Sequence, residues 1–395
     1  MDYMSFTLYS ATGDDFIGRE KLVGELTKEL SSKNKIGFSI SGIRRIGKTS
    51  ILKEVEQRLK KHGIPVIYIS IWRILPTTVD EFTRVLDRTA LNAFEHKLPK
   101  KFKFEELLVT GAKALGTFLS GLHLSTKVTE DLEVSLSYVK KESEDVEAAV
   151  TKTISLIEHL AEMTKTKCVL IIDEFPSIVD LTYGAKNRKM GFDIVKLIRT
   201  LFEDFKHTKL VVSGSYRDTL DNLVAKTTSP FYKQLLLREV DPFTKDEFNK
   251  FIVHYLPTLT FVNNQTKEDL YKISSGIPYN LQLLGKEIQF QDITKIDSMK
   301  LNDVVKMILE KEGEQSFKEF TENLTPSEIK VLKAIAKSPG IKPTDIVNDE
   351  FMSEATVSSA LVSLTNKTIL KRKSRAIYGF TDNLFAEWLK VSETL

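Results

Sequence analysis

The chain has 395 residues, 42% hydrophobic and 28% charged, with a net charge of +3, six histidines and one cysteine. That length admits two or three domains with a sizeable core, in the composition range of globular proteins. The charge is too small to argue for a nucleic-acid partner from composition, one cysteine excludes an intrachain disulfide or a cysteine-built zinc site, and the histidines lack ligand spacing.

Residues 1–10 lack the basic start and apolar run of a secretory leader. The most apolar stretch, 107–124, is interrupted by Lys113 and His123 and makes a poor membrane span, so a cytoplasmic protein without membrane contact is expected. Phe16-Ile17-Gly18-Arg19-Glu20 precedes a helix expected over 21–30, and its apolar residues and glycine would let backbone approach a flat ring such as adenine. Residues 36–41 read as a buried strand, and 50–62 as a helix with Ile51, Leu52, Val55 and Leu59 along one face. Between them stands Gly42-Ile43-Arg44-Arg45-Ile46-Gly47-Lys48-Thr49, followed by Ser50. The spacing G-x-x-x-x-G-K-T lets backbone N–H groups wrap phosphates, with Lys48 as the point charge and the Thr49 hydroxyl as a ligand for Mg²⁺. Strand, loop and helix in this order aim a helix N-terminus at an anion, so ATP or ADP with Mg²⁺ is the expected ligand.

Further strands are expected at 66–72, 168–172, 210–213 and 235–240, separated by helices at 79–94, 146–164 and 192–205. Nearly continuous apolar strands linked by helices predict an open parallel α/β sheet with its ligand at the carboxyl ends of the strands. Cys168 begins the third strand and reads as a small buried residue. That strand runs Val169-Leu170-Ile171-Ile172 into Asp173-Glu174. Asp173 would complete the Mg²⁺ shell opposite Thr49, and Glu174 would polarise a water for attack on the γ-phosphate. A second carboxylate there favours hydrolysis over transfer to a bound acceptor, which predicts an ATPase, a slow one included. The long interval 97–145 reads as a helix at 104–118 and a β-hairpin at 122–139, with an exposed extended helix as the alternative to the hairpin. Ser213-Gly214-Ser215 ends the fourth strand, where Ser215 either reports the γ-phosphate or belongs to a small-residue turn. Arg217 and Arg238 follow strand ends, and with Arg44 and Arg45 they are candidates for charge on the γ-phosphate, in cis or from a neighbouring subunit, or for solvated surface charges.

Beyond 241 the strands stop. Helices are expected at 245–255, 267–274, 279–290 and 298–323, the first capped by Thr244 and Glu247. Gly276-Ile277-Pro278-Tyr279 opens the third of these and could close over the nucleotide. Thr325-Pro326-Ser327-Glu328 then starts a helix with Ile329, Leu332, Ile335 and Ala336 on one face. A short helix at 343–347, a third from 353 and a hairpin of 369–373 with 377–380 complete a winged helix-turn-helix. The expected division is 1–240, 241–322 and 323–395.

Taken in order, Phe16 to Glu20, the Gly42 to Thr49 loop, Asp173-Glu174, Ser213 to Ser215 and Gly276-x-Pro278 resemble the archaeal-type P-loop ATPases of the AAA+/STAND group. The resemblance implies an ASCE-type P-loop core, a helical lid and a C-terminal winged helix, with Ile17, Gly18 and Pro278 lining the adenine site. The helix from Gly276 lacks the arginine with which many AAA+ relatives reach the γ-phosphate. On the third winged-helix helix, Thr356, Ser358, Ser359, Ser363 and Asn366 suit phosphate or base-edge contacts, and Lys367, Lys371, Arg372, Lys373 and Arg375 concentrate charge beside them. Two functions stand: a DNA-associated ATPase switch, or a STAND-like signalling or scaffold ATPase whose winged helix makes intramolecular or protein contacts. A nucleotide-dependent homo-oligomer fits either.

Overall fold

The computed structural model describes residues 6–97 and 146–392, except 216, 225 and 323. The helix expected at 104–118 and the hairpin at 122–139 lie outside the described residues. Strands Gly37–Ser41 (β1), Val66–Ser70 (β2), Cys168–Asp173 (β3), Thr208–Gly214 (β4) and Leu235–Glu239 (β5) form one parallel sheet, in the order β2–β3–β4–β1–β5. The strand ending in Ser213-Gly214 therefore stands between the phosphate-loop strand and the acid strand, as in an ASCE-type core. Register aligns their tips: Ser41 lies opposite Gly214, and Ile172 opposite Val212.

The core helices are Glu20–Ser31 (α1), Lys48–Lys61 (α2), Val79–Phe94 (α3), Val146–Met163 (α4), Gly191–Asp204 (α5) and Arg217–Val224 (α6), the last not anticipated. They cover the sheet on two faces because alternate strand residues point opposite ways. Val169 and Ile171 join Phe38, Ile40 and the apolar stripes of α1 and α2. Leu170 and Ile172 join α3, α4 and α5.

Four helices follow: Lys245–Tyr255 (α7), Asn264–Ser274 (α8), Pro278–Phe290 (α9) and Ser298–Thr321 (α10). Thr244 and Glu247 form the expected capping box, and α8, capped by Asn263, begins three residues before the expected start. The winged helix comprises Pro326–Lys337 (α11), Pro343–Asp349 (α12), Glu354–Asn366 (α13), Leu370–Ser374 (β6) and Ile377–Phe380 (β7). An additional helix, Asn383–Val391 (α14), ends the described chain, its N-terminus capped by Asp382 accepting from the N–H groups of Leu384 and Phe385. The division at 322 is one of chain and not of core, since a single buried cluster runs from Phe248 and Leu281 through Phe317 to Leu332, Leu361 and Trp388. Asn280 Nδ2 also donates to buried Asp382 at 2.8 Å, joining α9 to the winged helix. No described helix is long and apolar enough to cross a membrane.

Candidate nucleotide site

The loop between β1 and α2 folds back because its glycines allow it. A Cβ on Gly42 would stand 2.9 Å from the Val240 carbonyl oxygen, so the loop lies flush on the start of the lid connection. Gly47 has φ +97°, a left-handed conformation that suits glycine, and it caps α2. Lys48 is the first residue of that helix, and its ammonium curls over the loop to donate to the carbonyl oxygens of Gly42 and Ile43, each at 3.0 Å. The side chain is buried, and that desolvation lowers its pKa to about 8 against the opposing attraction of Glu174 and Asp173. A buried cation held next to backbone amides is a receptor for phosphate oxygens.

Asp173, at the tip of β3, is the hub of the site. Its Oδ2 accepts from Thr49 Oγ1 at 2.8 Å and from the Tyr68 hydroxyl at 2.7 Å, and its Oδ1 accepts from Ser213 Oγ and from the Glu174 N–H at 3.1 Å. Burial, with Asp173 adding to it, raises the Tyr68 pKa and keeps the phenol a donor. Tyr68 was not anticipated; its place near the end of β2, one strand from Asp173, was the available signal. Glu174 takes a left-handed conformation (φ 53°, ψ 45°) that turns its carboxylate away from the strand direction. There Ser215 Oγ donates to Glu174 Oε1 at 2.6 Å and the Ser215 N–H to Oε2 at 3.4 Å. Ser213 and Ser215 thus each hold one of the two acids.

Thr49 Oγ1 and the Asp173 carboxylate are hard oxygens side by side, the donor set from which Mg²⁺ takes one or two protein ligands and leaves its other positions to phosphates and water. The residues present fit that ion.

A cleft of about 380 Å³ opens over the loop, walled by Lys48, Thr49, Glu174 and Ser215, by Pro278, Tyr279 and Gln282 of the lid, and by Thr7 to Ala11. The N-terminal segment was not anticipated here. Phe6 stacks on Tyr255 with centroids 5.1 Å apart, and the Thr7 N–H donates to Gln282 Oε1 at 3.1 Å, which fastens the segment to the lid. Behind the cleft a smaller cavity, about 40 Å³, lies among Phe16, Ile17, Arg19, Ile46, Ser50 and Pro278. Gly18 backs onto Glu247 instead, its hypothetical Cβ 3.1 Å from that side chain.

The arginines go to different places. Arg19 pairs with Glu247 (Nη1 to Oε2 3.7 Å) and its guanidinium lies 4.6 Å over the Phe243 ring, while its Nε and Nη2 are buried without a hydrogen-bond partner. Arg44 lies 5.8 Å from the Trp72 ring, and Arg45 lies 4.3 Å over Tyr279 and 5.5 Å from Phe320. Arg238 is drawn to Glu25 on α1, its Nε 2.8 Å from Oε1, and so is held away from the cleft. Arg217 opens α6, and its side chain lies outside the described ones.

On the winged helix, Ser358, Ser359, Ser363 and Asn366 line a larger cleft of about 900 Å³, whose opposite wall is Ile43, Arg44 and Ser215. Thr356, near the start of α13, does not line it. Lys367 Nζ donates to buried Glu328 at 2.8 Å, whereas Lys371, Arg372, Lys373 and Arg375 are exposed on the wing.

Residues 16–284 match the family described as an ATPase domain predominantly from Archaea, and residues 315–391 match a family described as a probable winged helix domain. Two ATP-binding proteins of Methanocaldococcus jannaschii are similar in sequence. MJ1659 is 28% identical over 239 residues, covering 56% of this chain and 63% of the relative; MJ0074 is 25% identical over 295 residues, covering 73% and 75%. The fold is similar to that of the Walker-type ATPase PABY2304 of Pyrococcus abyssi, with TM-score 0.66, 19% identity, and 98% and 99% of the two chains covered. It is also similar to the Aeropyrum pernix ORC2 protein, with TM-score 0.58, 12% identity, and 94% and 92% covered.

Proposed function

Because the chain belongs to the family of ATPase domains found predominantly in Archaea, we propose that it binds ATP with Mg²⁺, hydrolyses it, and uses the nucleotide state to set a winged helix that contacts DNA. The carrying observation is the pair of linked acids: Asp173 bound to Thr49, and Glu174 held by Ser215 beside the phosphate loop. When bound, Mg²⁺ supplies positive charge that neutralises the β- and γ-phosphate oxygens. Lys48 gives up its two carbonyl acceptors and turns its ammonium to the phosphates. Glu174 accepts a hydrogen bond from the attacking water and takes its proton as the new P–O bond forms and the bond to the β-phosphate oxygen breaks. Ser215 holds the carboxylate in that position. Ile17 and Pro278 flank the base, and the Nε and Nη2 edge of Arg19 offers it two donors.

The base cavity, about 40 Å³, is small beside the cleft of about 380 Å³ in front of it, and we take Pro278 and the lid to move as a purine enters. Since lid and winged helix share one core, they move together, and this is how nucleotide state reaches the C-terminal domain.

A second reading, a STAND-like scaffold ATPase whose winged helix makes intramolecular contacts, is favoured by the placement of the α13 polar face opposite the phosphate loop. ATPase rate and oligomeric mass, measured with and without duplex DNA, separate the two. Salt-dependent duplex binding that changes the rate supports the switch; ATP-dependent assembly without duplex affinity supports the scaffold.

A further inference from the structure

The two halves of the winged helix face different surroundings. Along α13, Ser358, Ser359, Ser363 and Asn366 look into the 900 Å³ cleft whose far wall is the phosphate loop. A helix that reads duplex DNA enters a major groove about 12 Å wide, with groove walls on both sides of it. Here one of those sides is taken by the ATPase core. The usual leading edge of such a helix is its N-terminal turn, and in this chain that turn is acidic: Glu354 begins α13, and Asp349 and Glu350 end the preceding helix. These carboxylates would meet phosphates with like charge. Ser363 and Lys367, further along, are already committed to Glu328.

The wing has the opposite character. Lys371, Arg372, Lys373 and Arg375 are all exposed on the two-stranded hairpin and its turn, and no described acid pairs with any of them. None of the four lines the 900 Å³ cleft.

We propose that nucleic acid is held by the wing alone, through its phosphate backbone, with the third helix reserved for the cleft that faces the nucleotide. This rests on the DNA-binding reading above and narrows it: the ligand class is duplex DNA recognised by charge and shape, without base readout. Four phosphates neutralised at about 0.9 each give a slope near −3 to −4 in log affinity against log salt, so affinity falls ~10²-fold between about 50 and 200 mM.

The test is fluorescence anisotropy of the full chain with two labelled duplexes of equal length and unrelated sequence, across a salt series. Expected are equal affinities for both duplexes and the stated slope. Replacing Lys371, Arg372, Lys373 and Arg375 together by alanine should abolish binding, while Thr356→Ala with Ser359→Ala should leave it within about twofold. Circular dichroism should be unchanged in both variants, since all substituted side chains lie at the surface or its margin. If the helix variant loses binding and the wing variant keeps it, or if only one duplex is bound, wing-only contact is overturned while DNA binding stands. If the parent chain binds neither duplex at any salt, the DNA reading itself fails. Binding of a polyglutamate chain of matched charge, with no duplex affinity, would assign the wing to an acidic protein partner and also overturn the proposal.

Discussion

Ser215 Oγ donates a 2.6 Å hydrogen bond to Glu174 Oε1, joining residues 41 apart in the chain across the tips of two neighbouring strands. Glu174 reaches that position only by taking a left-handed backbone conformation, which costs of order 1–3 kcal/mol and persists because the surrounding contacts over-determine it. Ser215→Ala removes the hydroxyl and leaves the acid. Its expected effect is a fall in kcat of about 10-fold with KM unchanged, a fraction of the 10²–10⁴-fold that a positioned proton acceptor contributes. Ser215→Thr should restore most of the rate. A packing role for Ser215 would show instead as lost thermal stability with kcat intact.

Lys48 provides a test that needs no mutation. Its free pKa is about 8, below the ordinary lysine value, because burial outweighs the attraction of the two acids. Nucleotide phosphates favour the charged ammonium and raise that pKa. Above about pH 8, binding therefore takes up a proton, and affinity declines as pH rises further. Titration calorimetry at pH 8.5 in buffers of different ionisation enthalpy should report uptake of a fraction of a proton, at a pH where the phosphates (pKa about 6) no longer titrate. Zero uptake there would mean that Lys48 is fully charged before the ligand arrives.

Glu328 predicts a pH dependence of stability. Burial works against its ionisation, but hydrogen bonds from Lys367, Ser363 and Thr325 outweigh it and hold the carboxyl at about 2. With the folded pKa below the unfolded one, the stabilisation is fully present above about pH 4.5 and is lost as pH falls toward 2. Glu328→Gln should melt at a lower temperature than the parent at pH 7. The gap should narrow steadily between pH 4.5 and 3. A gap independent of pH would assign the effect to the lost cap and not to charge.

Phe6 ties the N-terminal segment to the lid. Its ring stacks on Tyr255, and a Cβ on Gly285 would stand 2.3 Å from it, so the helix surface beneath it is flush. An aromatic pair contributes about 0.5–1.5 kcal/mol beyond area burial. Phe6→Ala is expected to speed nucleotide dissociation about 2- to 10-fold, read by stopped flow with a fluorescent ADP, without changing the single-turnover rate. Unchanged dissociation would leave residues 7–11 as bystanders at the mouth of the cleft.

The parts of this fold that sequence reveals are those governed by short range. Gly42 to Thr49 is legible because glycine spacing, an apolar strand before and an amphipathic helix after all agree. The five strands of the sheet and the capping boxes at Thr244 and Thr325 are legible for the same reason. Side-chain destinations are not. Arg19 and Arg238 stand next to motifs or strand ends, yet their partners, Glu247 and Glu25, lie more than 200 residues away. Separation of more than 200 residues also hides Phe6 against the lid, and of 102 residues Asn280 against Asp382. Helix Asn383–Val391 is a different kind of omission, since Asp382 followed by Leu384, Phe385, Trp388 and Leu389 is a readable cap and stripe.

The account stands on Glu174 as the group that orients and deprotonates water at a nucleotide gripped by Lys48, Thr49 and Asp173. Glu174→Gln keeps the shape and the Ser215 contact while removing the basic oxygen. Single-turnover hydrolysis of radiolabelled ATP by this variant, with affinity measured in parallel, is the most direct test. The predicted result is ATP retained at parental affinity with hydrolysis slowed about 10²–10⁴-fold. Hydrolysis at the parental rate would contradict the assignment of Glu174 and, with it, the chemistry proposed for the site.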